Sequence, residues 1–119
     1  MSVTSDAGLW GEGEVARYLR KKGYSVLDTR WRCRFGEIDL IARDGQGLLC
    51  FVEVKLRSNV SHGLPREFVD ARKQQKLRSA AACYLARGNL DEETRFDVAE
   101  VYTDQAYTAA RITYLENAF

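Results

Sequence analysis

Two short runs with the alternation of β-strands hold ionisable residues at their centres, and they constrain the fold more than any other part of the chain. The first is Gly36–Ala42, the second is Phe51–Leu56, and the turn-forming run Asp44–Gly47 lies between them. Charged side chains among Ile, Leu, Val and Phe are costly to bury unless they are paired or bind a metal. A local conflict of this kind is expected at a functional site.

The alternation of side chains also predicts how the two strands pair. Each run has one wholly apolar face, and burying both apolar faces together requires the numbers of paired residues to sum to an even number. A sum of 92, which leaves a five-residue loop, gives three opposed pairs: Asp39–Glu53, Glu37–Lys55 and Ile38–Val54. Directly opposed Cβ atoms lie about 5 Å apart. Hydrophobic burial alone therefore predicts two carboxylates and a lysine as close neighbours.

Such a pair of carboxylates has a definite chemistry. The two groups repel each other unless one takes up a proton or a cation binds between them. Oxygen ligands favour Mg²⁺ or Mn²⁺, which keep several waters and are often completed by substrate phosphates. Lys55 would then contact a phosphate oxygen or orient a metal-bound water, so the pattern predicts metal-assisted phosphodiester hydrolysis. The alternative is that the alternating charges form only the solvated face of a strand.

The first predicted helix separates its two glutamates. Glu12 lies on the apolar face with Val15 and Leu19, toward the sheet, and could reach the carboxylate pair. Glu14 shares its face with Arg17 and is expected to pair with it at the i, i+3 spacing.

Periodicity and turn residues define the remaining elements. They predict helices over residues 6–22 and 65–87, with Pro65 in the first turn of the second, and strands over residues 24–33, 95–102 and 111–115. Together with the two central strands, the order is α-β-β-β-α-β-β. A chain of 119 residues with this order is expected to form a single α/β domain, residues 1–119, with a mixed central sheet flanked by helices.

Composition excludes several classes of protein. The net charge is only +1, so no global field favours a polyanionic partner and any basic patch must be local. The three cysteines lack the spacing of a zinc site and are expected to be reduced structural thiols. No apolar run approaches the ~20 residues of a membrane span, and the first residues lack the pattern of a signal peptide. A cytoplasmic protein without membrane contact is the expectation.

The motifs taken together resemble a known family. The runs GEIDLI (36–41), FVEVK (51–55) and RFDV (95–98), with Gly11-Glu12 and Gly23-Tyr24, resemble the YraN family of bacterial proteins. The spacing of Asp39, Glu53 and Lys55 resembles the D…(E/Q)xK signature of the PD-(D/E)xK nuclease superfamily. This resemblance implies a restriction-endonuclease-like, three-layer α/β core. The family is also similar to archaeal Holliday-junction resolvases.

The resemblance implies a function as well as a fold. It implies a Mg²⁺- or Mn²⁺-dependent DNA endonuclease that acts on branched, Holliday-junction-like DNA as a homodimer, without a small-molecule cofactor. The catalytic residues would be Glu12, Asp39, Glu53 and Lys55, and the three carboxylates among them would bind the metal. A non-catalytic nucleic-acid-binding module of the same fold is the alternative, because fold does not determine function.

Basic residues outside the motif are candidates for nucleic-acid contacts. Lys73 and Lys76 on the second helix, and Arg57 after the motif strand, are predicted to contact backbone phosphates, which position DNA without reading its sequence. For the two lysines a solvated helix face fits equally well.

The first predicted strand ends in a basic cluster, Arg30, Arg32 and Arg34, around Trp31. This cluster fits either a nucleic-acid contact or a charged sheet edge that prevents aggregation. Phe35, which follows it, is expected in the core rather than as a platform for base stacking.

Overall fold

The computed structural model describes residues 6–58, 69–103, 106 and 110–119. Its elements are α1 (Asp6–Lys21), β1 (Ser25–Cys33), β2 (Gly36–Arg43), β3 (Leu49–Ser58), α2 (Ala71–Arg87), β4 (Thr94–Thr103) and β5 (Ala110–Leu115). The strands form one sheet in the order β1-β2-β3-β4-β5, in which β3 and β4 run parallel and the other neighbours are antiparallel. The predicted α/β class, element order and mixed sheet are confirmed.

The two helices cover opposite faces of the sheet, which gives three layers. Helix α1 buries Val15 and Leu19 against the face that includes Val52. Helix α2 buries Leu77 against the face that includes Phe51. Because successive strand residues point to opposite faces, β3 is covered on both sides. The layering is compatible with a restriction-endonuclease-like core.

Helix α2 begins later than the sequence predicts. Asp70 has extended backbone, and its side chain accepts the Lys73 N–H at 2.8 Å, so it caps a helix that starts at Ala71. Asp is among the preferred N-cap residues because its carboxylate satisfies an N–H that has no partner within the helix. The prediction of a continuous helix from Pro65 is therefore wrong, and Pro65 itself lies outside the described residues.

Strands β2 and β3 pair in the predicted register over the part where both are regular. The ladder runs from Leu40–Val52 to Arg43–Leu49, and every pair sums to 92. Beyond it, the backbone N–H of Val54 donates to Asp39 Oδ2 at 2.8 Å. A side chain thus replaces a strand carbonyl as acceptor, and the ladder ends next to Asp39.

Regular alternation is also broken beside Asp39. Ile38 packs in the α2-side cluster, whereas Leu40 packs on the α1 side, so the prediction that these two residues share a face is wrong. On the neighbouring strand, Arg30 lies between the paired residues Thr29 and Trp31 and has a left-handed φ of 47°. A positive φ is uncommon for a residue with a side chain, and it disrupts the alternation of a strand.

A buried carboxylate joins the end of the chain to β4. Asp97 is fully buried and accepts hydrogen bonds from Arg95 Nε at 2.8 Å, Arg95 Nη2 at 2.9 Å, the Tyr114 hydroxyl at 2.6 Å and the Asn117 N–H at 2.9 Å. Burial, followed by the interaction with Asp97, raises the pKa of Tyr114 above its usual range, so the hydroxyl stays a donor. The network thus anchors Tyr114 and Asn117 to β4.

Two expectations from composition can be compared with the structure. The three cysteines are free, and burial raises the pKa of Cys50 to about 12, which keeps this thiol protonated and unreactive. This agrees with the prediction of reduced structural thiols. Neither of the described helices has the length and apolarity that a bilayer crossing requires.

Candidate functional site

Carboxylates from α1, β2 and β3 converge where β2 and β3 separate. Besides burial, the charge of Glu53 raises the pKa of Asp39, so the two side chains lie near each other, as expected for residues predicted to face each other. Glu12 and Glu53 are buried, with 8% and 5% of their surface exposed. Asp39 thus lies next to both of the other carboxylates that the sequence predicts as metal ligands, Glu53 and Glu12.

Glu12 reaches the site because of its place on α1. It lies on the buried face of the helix with Val15 and Leu19, whereas Glu14 pairs with Arg17 at 3.1 Å on the outer face. The predicted separation of the two glutamates is confirmed. Helix α1 packs on the sheet face opposite to that of Phe51. From this helix Glu12 approaches Asp39, which lies at the end of the β2–β3 ladder.

A fourth carboxylate belongs to the same cluster. One side-chain oxygen each from Glu12, Glu37 and Asp39 lie within 4.8 Å of one another. Glu37 is paired across the β1–β2 ladder with Arg32, whose Nε donates to Glu37 Oε2 at 2.6 Å. The predicted opposition of Glu37 and Lys55 is therefore wrong, because β2 and β3 have separated at this point. Pairing β1 with β2, which sets Glu37 opposite Arg32, is what would have located Glu37 in this carboxylate cluster.

Burial raises the pKa values of two of these carboxyls, those of Asp39 and Glu12. Burial, followed by the charge of Glu53 and the hydrogen bond with it, raises the pKa of Asp39 to about 8, although the N–H of Val54 opposes the shift. Burial also raises the pKa of Glu12, against the opposing charge of Arg30. At neutral pH the carboxyl pair formed by Asp39 and Glu53 therefore holds a proton in the position where a cation could bind.

Several basic side chains contact the carboxylates. Lys55 Nζ lies 3.7 Å and Lys73 Nζ 3.6 Å from the same oxygen, Glu53 Oε2. Arg30 Nη1 lies 3.4 Å from Glu12 Oε1. Lys55 thus lies beside Glu53, two residues before it, and not opposite Glu37 as the predicted register would have it. Lys73, predicted as a DNA contact, lies at the site itself, near the start of α2. The contacts of Arg30 and Arg32 with the site carboxylates depend on the fold and are not evident from residue spacing.

The other two predicted nucleic-acid contacts differ in their surroundings. Lys76 is exposed on α2. Arg57 Nη2 lies 3.3 Å from Glu100 Oε2, and the Arg57 side chain is only 14% exposed. Arg57 therefore compensates a buried charge, and its contact with nucleic acid stays a prediction, as does that of Lys76.

The carboxylate cluster fits a hard divalent cation. Its donors are all carboxylate oxygens, the type that Mg²⁺ and Mn²⁺ prefer. One oxygen each of Glu12, Glu37 and Asp39 lie within 4.8 Å of one another, so these carboxylates could bind one cation together.

Comparison with known proteins identifies the family. The family described as "Uncharacterised protein family UPF0102" matches residues 11–101, which include the four predicted catalytic residues. A UPF0102 protein of Caldanaerobacter subterraneus subsp. tengcongensis is 44% identical over 94% of this chain and 93% of its own length. UPF0102 proteins of Alkaliphilus metalliredigens and Flavobacterium psychrophilum are 42% and 40% identical over 98% and 100% of this chain, and over 100% and 98% of their own lengths. The chain therefore belongs to the UPF0102 (YraN) family.

Proposed function

We propose that this protein is a Mg²⁺- or Mn²⁺-dependent DNA endonuclease that hydrolyses phosphodiester bonds in branched, Holliday-junction-like DNA. The supporting observation is that Asp39 lies beside both Glu12 and Glu53 where β2 and β3 separate, with Lys55 next to Glu53. The names of the family and of the relatives state no activity, so the proposal depends on this geometry and on the chemistry of the donors.

Each side chain has a distinct role in the proposed reaction. Glu12, Asp39 and Glu53 would hold the cation, and Glu37, whose oxygen lies within 4.8 Å of those of Glu12 and Asp39, would be a further ligand. When bound, the cation would supply Lewis-acid stabilisation of the phosphate and a water of lowered pKa. Lys55, 3.7 Å from Glu53, would donate a hydrogen bond to a phosphate oxygen. Lys73 contacts the same carboxylate oxygen and would fix its orientation, as groups around metal ligands commonly do.

A cleavage assay with defined substrates tests the proposal. The purified protein is incubated with four-way junction, flap and duplex DNA in the presence of Mg²⁺, Mn²⁺ or a chelator. We expect metal-dependent cleavage with preference for the junction, and a homodimer that presents two sites to it. Salt-sensitive binding without turnover, weakened by charge reversal at Lys73 and Lys76, would instead indicate the non-catalytic module. Indifference to both metal and DNA would indicate a protein-interaction scaffold.

The two glutamates of α1 provide a matched pair of variants. Glu12→Gln keeps the size of the side chain but removes a metal-binding charge, so the cleavage rate is expected to fall roughly 10- to 100-fold. The Mg²⁺ concentration for half-maximal rate should rise. Glu14→Gln changes the same residue type two positions away, where it pairs with Arg17 on the outer face, and should leave both quantities unchanged. Equal effects of the two substitutions would remove Glu12 from the site.

Metal binding should depend on pH because of Asp39. Its pKa is raised to about 8, so below that pH a proton must leave the carboxyl pair before the cation binds. For one displaced proton, the affinity for Mn²⁺ should rise about tenfold per pH unit and level off above about pH 8. Calorimetric titration in buffers of different ionisation enthalpy measures both the affinity and the proton release. An affinity that is independent of pH between about 6 and 8 would contradict the assignment.

A further inference from the structure

The turn between β1 and β2 presents an aromatic side chain to solvent. Arg34 and Phe35 form this two-residue turn, hereafter the hairpin tip, between the paired residues Cys33 and Gly36. Phe35 is 40% exposed, so its predicted place in the core is wrong. The reason is its position beyond the last paired residues of the hairpin, where the sheet provides no packing surface.

The hairpin tip combines an apolar ring with a positive charge. The Arg34 guanidinium lies over the Phe35 ring, 4.7 Å from its centroid. Aromatic rings on which bases stack, next to cations that follow the phosphate backbone, are the usual components of single-stranded nucleic-acid binding sites. Arginine over an aromatic ring adds a cation–π interaction.

The hairpin itself carries part of the carboxylate cluster, because Glu37 and Asp39 lie on β2. Arg32 donates to Glu37 at 2.6 Å, and Arg30 lies 3.4 Å from Glu12. Phe35 is two residues from Glu37 along the chain, so their Cα atoms lie at most about 7 Å apart. A nucleic-acid strand whose phosphate lies at the carboxylates would therefore pass the hairpin tip within about two nucleotide steps.

We propose that the hairpin tip contacts DNA beside the reacting phosphate, with the Phe35 ring stacked on an unpaired base and the Arg34 guanidinium on a neighbouring phosphate. This inference rests on the proposed function for the choice of DNA as the ligand. Stacking tolerates any sequence, because every base has a π face. Unpaired bases are available in single strands and at branch points but not inside a duplex, so this contact would favour branched over fully paired DNA.

Fluorescence anisotropy with labelled DNA tests the contact. The probes are a single strand, a four-way junction and a plain duplex, each titrated with and without Mg²⁺. Phe35→Ala should weaken binding of the single strand and the junction about 5- to 150-fold and change duplex binding little. Phe35→Trp should retain the affinity. Leu27→Ala is the matched control, since Leu27 is also 40% exposed on the same hairpin and should not contribute.

A stacking signature separates this role from a general effect on the fold. A 2-aminopurine base in the single strand should change its fluorescence on binding the unaltered protein and the Phe35→Trp variant, but not on binding Phe35→Ala. Equal affinities of Phe35→Ala and Leu27→Ala, or no binding of any probe by the unaltered protein, would overturn the inference. Cleavage is scored separately. If binding depends on Phe35 but no cleavage occurs, only the proposed nuclease activity is rejected. If cleavage occurs but neither it nor binding depends on Phe35, only the hairpin contact is rejected.

Discussion

Asp39→Asn is expected to lower metal-dependent cleavage on the order of 10³-fold, the scale for losing one preorganised charge-stabilising group. The amide keeps an oxygen that can accept the Val54 N–H, now bonded to Asp39 at 2.8 Å. The substitution therefore removes the charge without removing the acceptor at the end of the β2–β3 ladder. Glu53→Gln should have a similar effect, because Asp39 and Glu53 are close neighbours whose charges interact.

The stability of the Asp39→Asn variant distinguishes lost chemistry from lost structure. In the metal-free protein the pKa of Asp39 is raised from 3.8 to about 8, so the folded state binds more protons than the unfolded state between these values. The stability associated with this group is therefore present at low pH and is lost as pH rises through about 8. A permanently neutral Asn avoids that loss and should be at least as stable as the unaltered protein near pH 9.

Cleavage assays near pH 5 and near pH 9 measure the loss of activity. Urea unfolding at the same pH values, in the presence of a chelator, measures the change in stability. Glu92→Gln is the control, since it removes the ion-pair partner of Arg43 at the other end of β2 and should leave cleavage unchanged. Retained cleavage by Asp39→Asn would remove this residue from the proposed mechanism. Lost cleavage with a variant that is also less stable near pH 9 would indicate a structural role instead.

Asp97→Ala is expected to lower the free energy of unfolding by about 3–5 kcal/mol, as for other broken buried ion pairs. The substitution leaves the Arg95 guanidinium, which is only 13% exposed, without the carboxylate that accepts two of its hydrogen bonds. It also removes the acceptor for the Tyr114 hydroxyl and the Asn117 N–H. For a domain of marginal stability this is a large fraction of the total.

Urea unfolding followed by circular dichroism measures this loss. Tyr114→Phe removes one hydroxyl donor to Asp97 and should cost less, about 1–2 kcal/mol. Glu14→Ala, which removes a surface pair with Arg17, whose side chain is 63% exposed, should give no measurable change. If Asp97→Ala were no more destabilising than Tyr114→Phe, the network around Asp97 would not be an anchor.

The sequence predicts the fold well where burial alone decides the geometry. A slip of one residue between β2 and β3 would expose the apolar faces, so their pattern, together with a five-residue loop, predicts the register seen at Leu40–Val52. The helical wheel likewise separates Glu12 from Glu14, because the burial of a helix face follows from spacing alone.

Prediction fails where the backbone departs from regular geometry. The rule that paired residue numbers sum to an even number assumes a regular extended strand on both sides of Asp39. In the structure, Arg30 of the neighbouring strand β1 has a left-handed φ, and Asp39 accepts a backbone N–H of β3. As a result Ile38 packs on the α2 side, and Glu37 pairs with Arg32. These arrangements depend on contacts with a third strand, which residue spacing within β2 and β3 does not encode.

The left-handed residue in β1 also affects how the protein meets other copies of itself. Strand β1 is an edge of the described sheet, and an edge with free N–H and C=O groups is a template for an incoming strand. The register of β1 shifts between Val26 and Asp28, and Arg30 turns the backbone away from the extended form a few residues later. A flat intermolecular ladder along β1 is therefore disfavoured, which protects the edge beside the carboxylate cluster from amyloid-like growth.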